Sequence, residues 1–331
     1  MTGRVVIAGA GAFGSALALV AHRAGHDVTL WARDPALAGA IGHSRENTRY
    51  LRGEAIPPEI SVTAEAKSFR EAGLVLLVVP SQATRGVLER LKADVPQGIP
   101  VIACAKGIER DTGLLQSEIV AEVLPEALPA ALSGPGFAEE IARGLPTAVT
   151  IAADALSLAH PLCAMFASER FRPYASDDLA GVELGGALKN VFAIAAGIVA
   201  GRALGESARA ALIARALAEM MRLGVALGAR RETFMGLSGL GDLVLTATSR
   251  HSRNLAFGMA LGEGRHPAEL LVAGMPLAEG AYTAHIAAEL AERHAVDAPV
   301  VAAVAAVIDG RIGIEAAIDG LVTRPLKAEK D

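Results

Sequence analysis

Lys189 is the only charged residue between Leu184 and Gly201, in the run LGGALKNVFAIAAGIVAG. An ammonium buried without a partner is costly, so this lysine either carries its head out to water or meets something negative. Lysine also shifts its pKa readily when desolvated, which suits it to general acid/base work. A second lysine, Lys106, directly follows the apolar run Val101-Ile102-Ala103-Cys104-Ala105, a place where it would meet a phosphate or a substrate oxygen. Asp242 follows Gly239-Leu240-Gly241, with Thr246 four residues on. Glycines allow close approach of backbone to a ligand or another helix, and an aspartate beside them can orient an ammonium. Ser252-Arg253-Asn254 sets a charged fork among neutral polar groups, a combination suited to phosphate. In isolation each cluster also reads as a capped turn, and each lysine as a surface residue. The eight histidines lack recurrent metal-ligand spacing, so no metal is expected.

The elements before Lys106 have a clear pattern. Arg4-Val5-Val6-Ile7-Ala8 suits a buried parallel strand and runs straight into Gly9-Ala10-Gly11-Ala12-Phe13-Gly14. A helix-like SALALVAHRAG and a second strand, Asp27–Trp31, follow. GxGxxG between strand and helix reads as a dinucleotide turn, with pyrophosphate on the helix N-terminus. At the end of the second strand, Arg33 precedes the first acid, Asp34. That arginine can pair a 2′-phosphate, which points to NADP(H), while Asp34 keeps NAD(H) in play. A surface pair between the two residues is the alternative. Further uniformly apolar strands are expected at 74–79, 101–105 and 147–151. Pro80-Ser81-Gln82, Lys106-Gly107 and Ser133–Phe137 then line the ligand crevice.

Beyond about Phe171 the strand signals largely stop. Helices are expected over 206–228, 284–294 and 300–308, from apolar spacing near 3.6 residues. The fold class is therefore an α/β Rossmann-type N-terminal domain with a mainly parallel sheet, followed by an all-α C-terminal domain. The expected boundaries are 1–176 for the dinucleotide domain and 177–331 for the helical substrate domain. The chain has 331 residues, 52% hydrophobic but only 4% aromatic, which agrees with two cores and a helix-rich part. A net charge of -5 offers no general attraction to nucleic acid or anionic membrane. Two cysteines are too few for a disulfide framework. A reactive thiol at Cys104 and a buried structural one are both open. No apolar run is expected to reach the ~18 residues of a membrane span. With a strand starting at Arg4 there is no room for a signal peptide, so a cytoplasmic location is expected.

These motifs, in this order, resemble the bacterial NAD(P)-dependent glycerol-3-phosphate dehydrogenases over essentially the whole chain. The matching blocks include GAGAFGSALA, LWARDP, VVPSQ, AKGIERDTG, SGPGFAEEIARGLPTAV, GVELGGALKNVFAIAAGI, GLGDLVLT and SRN. The resemblance implies reversible hydride transfer between the nicotinamide and C2 of sn-glycerol 3-phosphate, feeding phospholipid synthesis. It implies Lys189 as the proton-transferring residue, with Lys106, Asn190, Asp242 and Thr246 around the reacting carbon. Gly134, Gly136, Ser252, Arg253 and Asn254 match substrate-binding positions. Gly9, Gly11, Ala12, Phe13, Gly14, Arg33, Tyr50, Lys106, Ala138, Arg253, Leu277 and Glu279 match cofactor contacts. Two positions depart from the family pattern. Gly136 stands where Ser or Thr is usual, and Arg52 where proline is common. The expected partners are a small phosphorylated substrate and a second copy in a homodimer, with no nucleic acid. The alternatives are another hydroxyacid dehydrogenase of the same architecture and a non-catalytic dinucleotide sensor.

Overall fold

The computed structural model describes residues 4–271 and 278–325. Its strands are β1 Arg4–Ala8, β2 Val28–Trp31, β3 Glu46–Asn47, β4 Leu51–Ala55, β5 Ser61–Thr63, β6 Ala72–Leu77, β7 Pro100–Ala103, β8 Leu128–Ser133, β9 Thr147–Ala153 and β10 Phe171–Ser176. The helices are α1 Ala12–Arg23, α2 Pro35–Ser44, α3 Thr84–Leu91, α4 Gln116–Val123, α5 Ala138–Ala142, α6 Leu156–Phe166, α7 Leu179–Gly201, α8 Glu206–Ala226, α9 Asp242–Thr248, α10 Arg253–Gly262, α11 Pro267–Leu270, α12 Glu279–Arg293, α13 Pro299–Ile308 and α14 Ile314–Val322.

Among the described residues, eight strands form one sheet in the order β10-β9-β8-β7-β6-β1-β2-β5, and β3 and β4 form a separate hairpin. β2, β1, β6, β7 and β8 run parallel in succession. Their apolar sequences are explained by cover on both faces, since Val5, Ile7, Leu76 and Ile102 pack on one side and Val6, Ala8, Val75 and Val101 on the other. β9 turns antiparallel to β8, and β10 pairs parallel to β9. The sequence reading placed the end of the strands near Phe171, yet β10 begins there. Pro173 disguised it; proline is tolerated because β10 is an edge strand. The strand expected at 74–79 occupies 72–77, as the chain leaves the sheet towards Pro80.

Helix α7 organises the second half. Asp178 caps it, accepting from the Gly181 amide at 3.0 Å, and also accepts from the Arg230 amide and the Thr233 hydroxyl. Every residue from Gly181 to Ile198 is buried. Contrary to the sequence expectation, α7 is apolar and long enough to cross a membrane, with a mean hydropathy of 1.5. Of that stretch 83% is buried inside the protein, so α7 is a core helix. Its small residues let α10 lie backbone against backbone. A Cβ on Gly197 would sit 2.2 Å from the Leu255 carbonyl oxygen, and one on Gly258 2.0 Å from that of Ile194. This contact brings the start of α10 against α7, where Asn254 meets Asn190. The turn before α9, Leu237–Gly241, is π-helical, a form often found at functional sites.

Candidate active site

The C-terminal ends of β1, β6, β7 and β8 open on one edge of the sheet, and α7 and α9 face that edge. Lys106 leaves the end of β7, and Lys189 stands in the middle of α7. The two meet at Asp242, the first residue of α9. Lys106 Nζ donates to one carboxylate oxygen at 2.6 Å, and Lys189 Nζ to the other. Lys106 also donates to the Gly134 carbonyl at 2.7 Å, and Lys189 to Thr246 Oγ1 at 2.8 Å. The Asp242 side chain is 1% exposed, that of Lys189 8% and that of Lys106 18%. Lys189 therefore does not snorkel.

Burial is the largest influence on Lys189, and Lys106 adds repulsion. Asp242 opposes both, and the balance brings the ammonium down from 10.5 to about 7. A lysine poised there can give a proton to a developing alkoxide or take one from an alcohol near neutral pH. Cys104 is different. Burial pushes its thiol up, so it is a structural residue and no nucleophile.

Asn190, the next residue of α7, bonds to other groups. Its Nδ2 donates to the Lys106 carbonyl at 2.9 Å, and its Oδ1 accepts from Asn254 Nδ2 at 2.9 Å. Asn254 Oδ1 in turn accepts from the Gly280 amide. Ser252 caps α10, its Oγ accepting from the Leu255 amide at 3.2 Å. Arg253, first in α10, acts electrostatically on Glu279, first in α12. Glu279 accepts from the Ser81 amide at 3.3 Å and from its hydroxyl. Burial nevertheless raises its pKa.

The residues of the GxGxxG turn fit a dinucleotide. Gly9 has φ +127°, and a Cβ there would lie 2.1 Å from the Val78 carbonyl oxygen. A Cβ on Gly14 would lie 1.8 Å from the Gly9 oxygen, so α1 packs hard on the turn. Gly11 by contrast faces open space, and no side chain caps α1. Its free amides, next to Ala12 and Phe13, suit a pyrophosphate. Asn47 holds this turn from the far side, donating to the Ala10 carbonyl and to Ser15. A cavity of about 250 Å³ adjoins it, lined by Asp34, Leu37, Asn47 and Arg49 among others. Asp34 itself caps α2 through the Ala36 amide at 2.9 Å, and no ion pair joins it to Arg33 among the described residues. Tyr50 is 46% exposed beneath the Arg49 guanidinium. Ala138 opens α5, and Leu277 lies outside the described residues. Arg52 lies in β4 and donates to the Thr48 carbonyl at 2.8 Å.

The sequence places Ser133 and Ser81 along the ligand crevice without assigning either a partner, and gives no sign of Gln116. Ser133 Oγ is buried with no hydrogen-bond partner, and a Cβ on neighbouring Gly186 would come 2.5 Å from it. Its place at the head of SGPG was the available signal. Ser81 stands in the PSQ motif yet was not singled out as a ligand of Glu279. Gln116, buried in the first turn of α4, had no local signal at all.

Comparison with known proteins agrees with this geometry. The family model for the NAD-dependent glycerol-3-phosphate dehydrogenase N-terminus matches residues 4–159, and that for the C-terminus residues 178–319. A protein of Mesorhizobium japonicum named glycerol-3-phosphate dehydrogenase [NAD(P)+] is 55% identical over 327 residues, covering 98% of this chain and 94% of that one. One of the same name from Methylobacterium radiotolerans is 55% identical, covering 98% of each. The crystal structure of a glycerol-3-phosphate dehydrogenase from Coxiella burnetii superposes with a TM-score of 0.92 at 38% identity, covering 98% of this chain and 99% of that one. A ketopantoate reductase from Ralstonia eutropha, 19% identical with a TM-score of 0.64, shares the fold alone. With both halves matched and the two lysines brought onto one aspartate, the chain belongs to the NAD-dependent glycerol-3-phosphate dehydrogenase family.

Proposed function

We propose that the protein reversibly reduces dihydroxyacetone phosphate to sn-glycerol 3-phosphate with NADPH or NADH, residues 1–176 holding the dinucleotide and 177–331 the substrate. The observation that carries this reading is the Lys189–Asp242–Lys106 arrangement, built on the loop that follows β7. The nicotinamide, when bound, supplies the hydride. The remaining work falls to the chain. Lys189 donates a proton to the carbonyl oxygen as negative charge builds there, and its ammonium stabilises that charge beforehand. Lys106 adds a second positive group beside the substrate, while Asp242 and Thr246 fix the direction of Lys189. Arg253, with Ser252 and Asn254, takes the phosphate, whose binding energy holds the carbonyl in place. Gly134 and Gly136 shape the facing wall. Gly9, Gly11, Ala12, Phe13 and Gly14 cradle the pyrophosphate. Arg33 and Tyr50 serve the adenosine end, and Ala138, Leu277 and Glu279 complete the cofactor shell.

Oxidation of NADPH or NADH on addition of dihydroxyacetone phosphate tests the proposal directly. Turnover confined to a non-phosphorylated keto acid would replace the substrate, and cofactor binding without turnover would make the chain a sensor. We further propose a cytoplasmic homodimer, which light scattering on the purified protein checks for assembly.

Two variants probe individual contacts. Arg33→Ala weakens NADPH roughly 10-fold or more, the worth of a charge-assisted hydrogen bond, and changes NADH little. Trp31, the only tryptophan in the chain and the last residue of β2, reports both titrations by its fluorescence. Equal losses for the two cofactors would remove the 2′-phosphate role. At Gly136 a Cβ would meet Ile141 Cδ1 at 2.9 Å and Thr147 Cγ2 at 3.2 Å, the first being the movable end of a side chain. Gly136→Ser therefore fits with a small shift and offers the substrate a hydroxyl. KM for dihydroxyacetone phosphate falls by roughly 5-fold, equivalent to ~1 kcal/mol. An unchanged or higher KM would mean that the hydroxyl finds no substrate oxygen.

A further inference from the structure

The loop that carries Lys106 is fastened in an unusual way. Three successive carbonyl groups each accept a side-chain amide from a different element. The Lys106 carbonyl accepts from Asn190 on α7 at 2.9 Å, that of Gly107 from Gln116 on α4 at 2.9 Å, and that of Ile108 from Gln82 at 2.7 Å. Gln116 is 1% exposed, and its own oxygen accepts from the Thr84 hydroxyl, so its amide is held at both ends. Gln82 Oε1 likewise accepts from the Arg110 amide at 3.0 Å. The next residue of α4, Ser117, is gripped from the opposite side. Its amide donates to Glu183 at 3.0 Å and its hydroxyl to the other carboxylate oxygen. Glu183 lies on α7, six residues before Lys189.

The first turn of α4 thus touches the Lys106 loop through Gln116 and the Lys189 helix through Ser117. We infer that Gln116 and Ser117 form a positioning unit that sets Lys106 at its working distance from Asp242 and Lys189, with Gln82 as an outer clamp. Gln116 and Ser117 spend their polar side-chain atoms on protein groups and act through the lysines, so the inference rests on the reading of Lys189 as the proton donor. A buried carboxamide suits the task because its donor and acceptor ends are fixed in one plane, and a leucine of similar size would leave the Gly107 carbonyl without its partner.

The charged groups that face Lys189 are Asp242 from α9 and Lys106 from the loop after β7, while Arg253 on α10 and Glu279 on α12 act on each other. Lys106 depresses the Lys189 ammonium by repulsion and by the close approach of the two donor groups. If Gln116 releases the loop, Lys106 draws back and Asp242 answers Lys189 alone. The ammonium then persists to higher pH.

The test compares the pH dependence of kcat/KM for dihydroxyacetone phosphate reduction in the wild type, Gln116→Leu and Gln82→Met. Turnover should fall roughly 10-fold or more in Gln116→Leu, as expected for misplacement of a group beside the reacting atoms. The alkaline midpoint should rise by about 0.5–1 unit, as relief of a neighbouring charge requires. The affinity for NADPH should be unchanged. Gln82 is exposed, so Gln82→Met leaves the core packing in place and should show a smaller shift of the same sign. Should Gln116→Leu fail to fold, the midpoint of Gln82→Met decides. Lower turnover with an unmoved midpoint, or no change in either quantity, would overturn the positioning role. A wild type inactive on dihydroxyacetone phosphate would instead sink the substrate reading, so the two failures are told apart.

Discussion

Replacing Lys189 with methionine lowers kcat for dihydroxyacetone phosphate reduction by roughly 10² or more, while the affinity for NADPH stays within about 2-fold. The thioether keeps the length and apolar volume of the lysine stem but offers neither a proton nor a positive charge. Loss of a charge-stabilising donor from a preorganised site costs ~3–4 kcal/mol of transition-state energy. The fold should survive, because Lys106 still neutralises Asp242 at 2.6 Å. The two directions of the reaction give an independent check. With the Lys189 ammonium brought to about 7, wild-type kcat/KM for reduction declines above that pH, since the donor form is lost. Oxidation of glycerol 3-phosphate rises through the same range, since the neutral amine is the acceptor. Both limbs disappear in Lys189→Met. Near-normal turnover, or a surviving limb at the same pH, would assign proton transfer to another group.

Much of this arrangement was legible in the sequence, for reasons that differ from residue to residue. The dinucleotide turn was visible because its constraints are local: a strand, glycines at fixed offsets and a helix lie within twenty residues. Lys189 stood out because charge is rare in so apolar a run. Whether it was buried or snorkelling depended on α7 extending ten residues before it, and on Asp242 lying opposite. The sharing of Asp242 by two lysines was not readable, since Lys106 and Asp242 are 136 positions apart and meet only through the fold. Gln116 shows the same limit more sharply. A carboxamide that holds a backbone carbonyl leaves no periodicity and no motif, because its partner is a peptide group that every residue possesses. β10 was obscured for the opposite reason. Its proline is a valid signal against a central strand, and only the sheet order reveals that it lies at an edge.

Asp242→Asn gives the other large effect, and it separates catalysis from stability. The neutral amide leaves two buried or half-buried ammonium groups facing each other without a counter-charge. Removing one partner of a buried ionic cluster costs ~3–5 kcal/mol when the remaining charges are kept. Lys189 can escape by releasing its proton, because the group that held its pKa up has gone while burial and Lys106 still press it down. Its midpoint therefore falls below about 7. In the unfolded chain it remains at 10.5, so between the lowered midpoint and 10.5 the unfolded state binds one more proton than the native state. Stability must then rise with pH across that window. In the wild type the corresponding rise begins only near 7, so the deficit of the variant is largest in acid and shrinks as pH approaches 7. Catalysis responds in the reverse sense. Ketone reduction at neutral pH drops by roughly 10² or more, because the donor is both deprotonated and free to turn, and lowering the pH recovers part of it. Denaturant titrations at pH 5.5 and 8, alongside the pH profile of kcat/KM, measure both. A stability deficit that grows with pH, or a reduction limb at the wild-type position, would show that Asp242 does not govern the charge on Lys189.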